Sequence, residues 1–439
     1  MPNSTDARSS RAEAFPAGSR VLHIGAPKTG TTAIQAAQGQ LRAAAVDGGV
    51  KHSVTIPGNP LEQARAALTV MGRSTGWAGD MQAVPAKYWT RLVQRTRESS
   101  ATVFISSEYL CEADRPTIRR IADELADGDV RVVMTLRPLA RILPSAWQQY
   151  LKSGHELPYQ RWLKAVLADP PKTSVTPSFW PRHDQGAVIE RWVSEIGADR
   201  FTVVILDPDD RGLLLRSFDD LLALPVGTLA NLPAGQQNRS MTTTEAELFR
   251  RLNIALRRNR LSYENYSHLI RYGAIMRTVE RVTPGPEMVK LTTPAWALKR
   301  AVELGTGYQE RIEALRSAGL TVIGDPRRLS DAPPPVEFDG DLPDTVELTV
   351  AVEALLGVVS RAANGKAFFP DEVQSDPTSH TPGMPGGGRS QSHLISPNDL
   401  TFRQLAGVLI NHLRRAARRR VRNAWAALKA RFRSSTEVE

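Results

Sequence analysis

RVLHIGAPKTGTT, residues 20–32, is the stretch on which the fold turns. Arg20–Ile24 is a short apolar run that reads as a buried strand, and Gly25 ends it. From Thr31 to Ala45 small and apolar residues recur at helical spacing. A glycine-rich turn between a strand and a helix aims backbone N–H groups and the helix N-terminus at one point, which suits an anion. The nucleotide-triphosphate form of such a loop is GxxxxGK(S/T), with lysine directly after the second glycine. Here Thr31 holds that place and the lysine stands three residues earlier, at Lys28. A lysine inside the turn can point at a group transferred off the terminal phosphate.

Working outward, Ala101–Ser106 (ATVFIS), Arg131–Leu136 (RVVMTL), Phe201–Leu206 (FTVVIL) and Leu320–Gly324 read as further strands, while Pro138–Lys152 and Ala187–Ile196 read as helices. Strands alternating with helices predict an α/β fold, a central mainly parallel sheet flanked by helices, with a helical C-terminal part. The expected organisation is a disordered N-terminus over 1–18 and one large domain over 19–365 with a helical subdomain at about 242–317. A Pro/Gly/Ser-rich linker over 366–399 and a basic amphipathic helix over 400–434 complete it.

The 439 residues carry 56 Lys+Arg and 46 Asp+Glu, a net charge of +10. Between Leu400 and Thr436 there are ten basic residues and no acidic one, so residues 1–399 hold 46 basic and 44 acidic, a net of +2. The basicity is therefore an appendage, and the body is nearly neutral. No apolar stretch approaches the roughly 18–20 residues of a spanning helix. The first residues lack the apolar core of a secretory signal. The single cysteine, Cys111, forms no internal disulfide and no cysteine-rich zinc site. A cytoplasmic protein is expected, and high Ala and Arg usage suits a GC-rich bacterial genome.

A second element is Leu136-Arg137-Pro138 through Ser145. It places an arginine at a strand end and a serine eight residues later on the next helix. A guanidinium fork and a hydroxyl at the edge where parallel strands end suit a phosphate. Together the two elements resemble the sulfotransferases that use 3′-phosphoadenosine 5′-phosphosulfate (PAPS), closer to the carbohydrate-directed type than to the cytosolic type. The resemblance implies that Lys28, Thr29, Gly30, Thr31 and Thr32 hold the 5′-phosphosulfate and that Arg137 and Ser145 hold the 3′-phosphate. It implies a base at the end of the Ala101–Ser106 strand, which here is Glu108, and no metal. Cytosolic members carry a later Arg-Lys-Gly contact that this chain lacks; Gln237-Asn238-Arg239-Ser240 is the candidate substitute.

The expected reaction is in-line transfer of a sulfuryl group from PAPS to a hydroxyl or amine, with a carbohydrate or glycolipid as the leading acceptor. Lys28 covers charge on the leaving oxygen and Glu108 takes the acceptor proton. The alternatives are a P-loop kinase or nucleotide hydrolase, and a non-catalytic membrane-associated protein of the same fold. Between Phe402 and Phe432 apolar residues fall three or four apart with arginines on the other face, so the tail reads as a helix for an anionic membrane surface at the inner face, or one packing on protein. Sparse aromatics disfavour nucleic acid.

Overall fold

Each strand residue of the core alternates between two covered faces, which is why the strand sequences are nearly unbroken apolar runs. A computed structural model describes residues 12–46, 54–75, 81–125, 129–230, 239–259, 261–285, 289–334 and 345–364. The strands are β1 (Arg20–His23), β2 (Val54–Thr55), β3 (Ser74–Thr75), β4 (Gln82–Ala83), β5 (Thr102–Ser106), β6 (Val130–Leu136), β7 (Phe201–Ile205) and β8 (Thr321–Ile323). Six of them form one sheet in the order β2-β5-β1-β6-β7-β8, parallel throughout. β3 and β4 make a small antiparallel ribbon. The helices are α1 (Thr31–Val46), α2 (Pro60–Val70), α3 (Lys87–Arg97), α4 (Arg115–Glu124), α5 (Leu139–Leu151), α6 (Tyr159–Val166), α7 (Phe179–His183), α8 (Gln185–Ile196), α9 (Leu213–Leu221), α10 (Thr243–Arg258), α11 (Tyr263–Asn265), α12 (Met276–Arg281), α13 (Ala295–Arg316) and α14 (Leu348–Asn364).

One face of the sheet presents Val21, Phe104, Val133 and Val204 to Ile34 and Leu41 of α1 and to Leu214 and Phe218 of α9. The other presents Leu22, Ile105, Val132, Met134 and Val203 to α2, α3, α4, α8 and α13, through side chains such as Trp89, Ile118, Trp192 and Ile312. Full burial of each such side chain is worth about 1.5–3 kcal/mol. The fold is thus α/β with a central parallel sheet flanked by helices, as the strand and helix alternation predicts.

The chain divides into two compact units. The first comprises residues up to Tyr150, Leu157–Gln237 and Leu291–Asp341, and holds the sheet. The second comprises Leu151–Glu156, Asn238–Lys290 and the residues from Leu342 on. Of the helical stretch expected at about 242–317, α10 to α12 lie in the second unit and α13 in the first. Within the second unit α10 opens on a capping box, Thr242 with Glu245. α11 continues through a π-helical stretch, Tyr266–Ile275, into α12. That stretch meets α14 at a glycine pair, where a Cβ on Gly357 would clash with the Gly273 carbonyl oxygen.

Residues 12–18, expected to be disordered, are placed against the first unit instead. The Phe15 N–H donates to the Leu221 carbonyl at 3.0 Å, and the Phe15 ring packs on the α1/α9 face of the core. The linker over 366–399 and the basic helix over 400–434 lie outside the described residues, as do residues 1–11 and Gln237-Asn238.

Candidate functional site

β1 has β5 on one side and β6 on the other, and the chain crosses over it between those two strands. At such a switch point the carboxyl ends of the strands part and leave a crevice. Three segments leave the sheet there: the Gly25–Gly30 loop after β1, Ser107-Glu108 after β5 and Arg137 after β6.

The loop is fastened to β6. Ala26 N–H donates to the Thr135 carbonyl at 3.1 Å and Thr135 N–H to the Gly25 carbonyl at 2.6 Å. Gly25 and Gly30 sit at φ +93° and +88°, and Lys28 at +69°. A Cβ on Gly25 would meet the Cα and Cβ of Glu108 at 3.1 and 3.2 Å, so the loop and the β5 end are in direct contact. A lysine in the left-handed region costs about 1 kcal/mol or more and persists only where its surroundings demand it. The N–H groups of Gly30, Thr31 and Thr32, at the start of α1, form no hydrogen bond among the described residues. Unpaired N–H groups at a helix entry are anion-receptive.

The expected loop residues then divide. Thr29 is fully buried, and its hydroxyl donates to the Ala26 carbonyl and meets the Thr135 hydroxyl, both at 2.5 Å. The Thr29 side chain is thus turned inward, where it braces the loop, and its backbone stays within the expected phosphosulfate loop. Thr31 donates its hydroxyl to Oε2 of Glu108 at 2.8 Å. Thr32 is exposed on the first turn of α1. The Lys28 ammonium donates to Oε1 of Gln149 on α5 at 3.1 Å.

Arg137 is half-buried, and its Nη1 approaches the Lys28 carbonyl at 3.4 Å. Its own carbonyl accepts from the Gln185 amide at 2.8 Å. Burial, and then the nearby Arg141 charge, hold its guanidinium below the ordinary arginine range. Ser145, two turns along α5, gives its hydroxyl to the Ile142 carbonyl at 2.8 Å. The structure thus joins Thr31 to Glu108, sets Arg137 against the Lys28 carbonyl and the Lys28 ammonium against Gln149, and places Ser145 on α5, the helix that follows Arg137.

Two histidines stay neutral near neutral pH. His23 in β1 contacts the Ser106 and Thr135 hydroxyls at 2.8 and 3.2 Å, and burial lowers its pKa to about 3. His183 ends α7; burial, with the Arg182 and Lys28 charges, lowers its pKa to about 3 as well. Its Nδ1 is buried without a hydrogen-bond partner, as are Oγ of Ser107 and Oε1 of Gln185. Asp184, next in the chain, caps α8 by accepting from the Ala187 N–H at 3.1 Å. Arg182 is held by the buried Glu112 at 2.6 Å. Trp147 and Trp192 are core residues. Among the described residues no group of three or more His, Cys, Asp or Glu side chains could hold a metal ion, and no helix is long and apolar enough to cross a membrane.

No protein-family model and no curated protein matches the chain. Among solved structures it is similar to the crystal structure of a sulfotransferase from Alicyclobacillus acidocaldarius, at 16% identity and a TM-score of 0.36, over 54% of this chain and 92% of that one. A likeness this loose assigns no role to any residue of this chain.

Sequence reasoning missed four residues that shape the site: Thr135, Arg141, Gln149 and Gln185. The first had a signal in the sequence, a lone threonine inside the apolar run of β6. Arg141 and Gln149 stand four residues either side of Ser145, on one ridge of α5. Gln185 had no local signal, because it reaches Arg137 from α8.

Proposed function

We propose that the chain transfers a sulfuryl group from PAPS to a hydroxyl or amine of an acceptor. The observation that carries this reading is a pair of anion-receptive places on one sheet edge with a carboxylate beside the first. The first place is the Gly30–Thr32 N–H groups with Lys28, and the second is the half-buried Arg137. A nucleotide bearing phosphate groups on both its 3′ and 5′ positions matches that charge pattern.

In this reading the loop N–H groups and the Thr31 and Thr32 hydroxyls hold the 5′-phosphosulfate. Lys28 leaves Gln149 and donates to the oxygen that bridges phosphorus and sulfur, covering its charge as the sulfur–oxygen bond breaks. Glu108 accepts the proton of the acceptor hydroxyl as the new oxygen–sulfur bond forms. Arg137 and Ser145 bind the 3′-phosphate; Ser145 does so by turning its hydroxyl from Ile142. Thr29 serves through the shape of the loop. PAPS is a co-substrate here, and protein cations meet its charge.

A glutamate in the base position supports a carbohydrate or glycolipid acceptor, by the resemblance to the carbohydrate-directed members. The basic segment 400–434 supports attachment to an anionic membrane surface, where each Lys or Arg contributes about 1 kcal/mol. A triphosphate kinase needs a lysine at the position of Thr31, and this chain has none there.

Calorimetry distinguishes the readings. Adenosine 3′,5′-bisphosphate should bind without magnesium, and ATP with or without magnesium should not compete at equal concentration. Tight magnesium-dependent ATP binding with no bisphosphate binding would overturn the proposal.

A further inference from the structure

Arg239, the expected substitute for the late cationic contact, is spent elsewhere. Its Nη1 and Nη2 donate to the two carboxylate oxygens of Glu245 at 2.7 and 2.6 Å. Its remaining N–H groups go to the carbonyls of Ser240, Thr278 and Val282. A guanidinium has five N–H donors, and all are committed here. Glu245 is itself fully buried. Arg239 thus braces the second unit and has no donor left for a ligand.

A different cation stands beside Arg137. Arg141, Ser145 and Gln149 fall every fourth residue along α5, which begins two residues after Arg137; Arg137 meets the Lys28 carbonyl and Gln149 the Lys28 ammonium. Arg141 and Ser145 lie between those two residues in the chain and share the α5 ridge from which Gln149 reaches Lys28. Arg141 is half-buried, and its Nε is enclosed without a hydrogen-bond partner.

Among the described residues neither Arg137 nor Arg141 has a carboxylate partner. Other partly buried arginines of the same unit do: Arg182 has Glu112, Arg131 has Asp129, and Arg328 has Asp207, Asp209 and Asp331. Arg137 and Arg141 are both half-buried without a counter-charge among the described residues, and burial first, then the charge of Arg141, holds the Arg137 guanidinium below its ordinary range. A doubly charged anion would supply that counter-charge, since guanidinium forks match phosphate oxygens in geometry.

We propose that Arg137 and Arg141 form one two-guanidinium cradle for a phosphate monoester dianion, with Arg141 as the second cation of the 3′-phosphate site. The proposal rests on the PAPS reading for the identity of the nucleotide. It replaces the late basic segment with a residue on the same helix as Ser145.

The test compares adenosine 3′,5′-bisphosphate with adenosine 5′-monophosphate by calorimetry, on the full chain and on Arg141→Gln and Arg141→Lys. The wild type should prefer the bisphosphate. Arg141→Gln should lower bisphosphate affinity by about 10- to 100-fold, the range of one charged hydrogen-bond pair, and change monophosphate affinity less than about twofold. Arg141→Lys should recover part of the loss. An unchanged preference in Arg141→Gln, or an equal loss for both ligands, overturns the role of Arg141 and leaves the sulfuryl-transfer reading standing. A wild type that binds no bisphosphate, or binds both ligands equally, overturns that reading and this proposal with it.

Discussion

If the proposed sulfuryl transfer holds, Lys28→Ala should lower its kcat by about 10²–10³-fold, the usual effect of removing one donor aimed at developing charge. The size follows from where the lysine sits. Its left-handed backbone places it inside the turn rather than at the helix start, and Gln149 holds the ammonium at 3.1 Å beside the loop. A donor already oriented needs little reorganisation when charge appears on the bridging oxygen. Alanine keeps the Cβ and so keeps the same backbone demand at φ +69°, which separates the loss of charge from a change of loop shape. Affinity for adenosine 3′,5′-bisphosphate, which lacks the sulfuryl group, should fall less than about tenfold, because the Gly30–Thr32 N–H groups remain. Single-turnover rates at saturating PAPS give the measurement. A rate within threefold of wild type would remove Lys28 from the chemistry.

Glu108→Gln is the second large effect, a loss of about 10²–10⁴-fold in kcat, the range for one general base. Glutamine preserves the shape of the side chain, and its amide oxygen still accepts from the Thr31 hydroxyl, which lies 2.8 Å from the carboxylate. What it loses is the ability to take a proton. The backbone of residue 108 is fixed by the Gly25 contact, so the variant should melt with the wild type and keep its PAPS KM within about threefold. A fall in kcat that vanishes when the acceptor is pre-ionised would agree with the base role. Unimpaired turnover would show that Glu108 only braces the loop through Thr31.

The sequence made the sheet legible wherever burial on both faces left an unbroken apolar run. β1, β5, β6 and β7 read this way, the half-exposed edge strand β8 reads from its β-branched residues, and α1, α5 and α8 follow from their spacing. β2 is two residues long, too short to leave a pattern. The order of the strands was not legible, because pairing β1 with both β5 and β6 joins residues about a hundred positions apart. The places of the candidate residues, just after strand ends, were readable from the sequence, but the directions of their side chains were not. Thr29 fits the loop motif as well as Thr31 does, yet one left-handed residue before it sends its hydroxyl into the core. Arg239 looked available until Glu245 was found beneath it. That pairing was half visible, since Thr242 and Glu245 have the spacing of a capping box. Arg141 did not stand out because what marks it is the lack of a carboxylate partner among the described residues, which shows only in three dimensions.

The fate of the sulfur label tests the central claim most directly. The purified chain is incubated with ³⁵S-labelled PAPS and a lysate of a strain from which this protein has been deleted. The account predicts that label leaves PAPS for an acceptor in the lysate, with an equal amount of adenosine 3′,5′-bisphosphate released, and that Lys28→Ala suppresses both. Label remaining in PAPS while the γ-phosphate of ATP moves to an acceptor in the same lysate would contradict it.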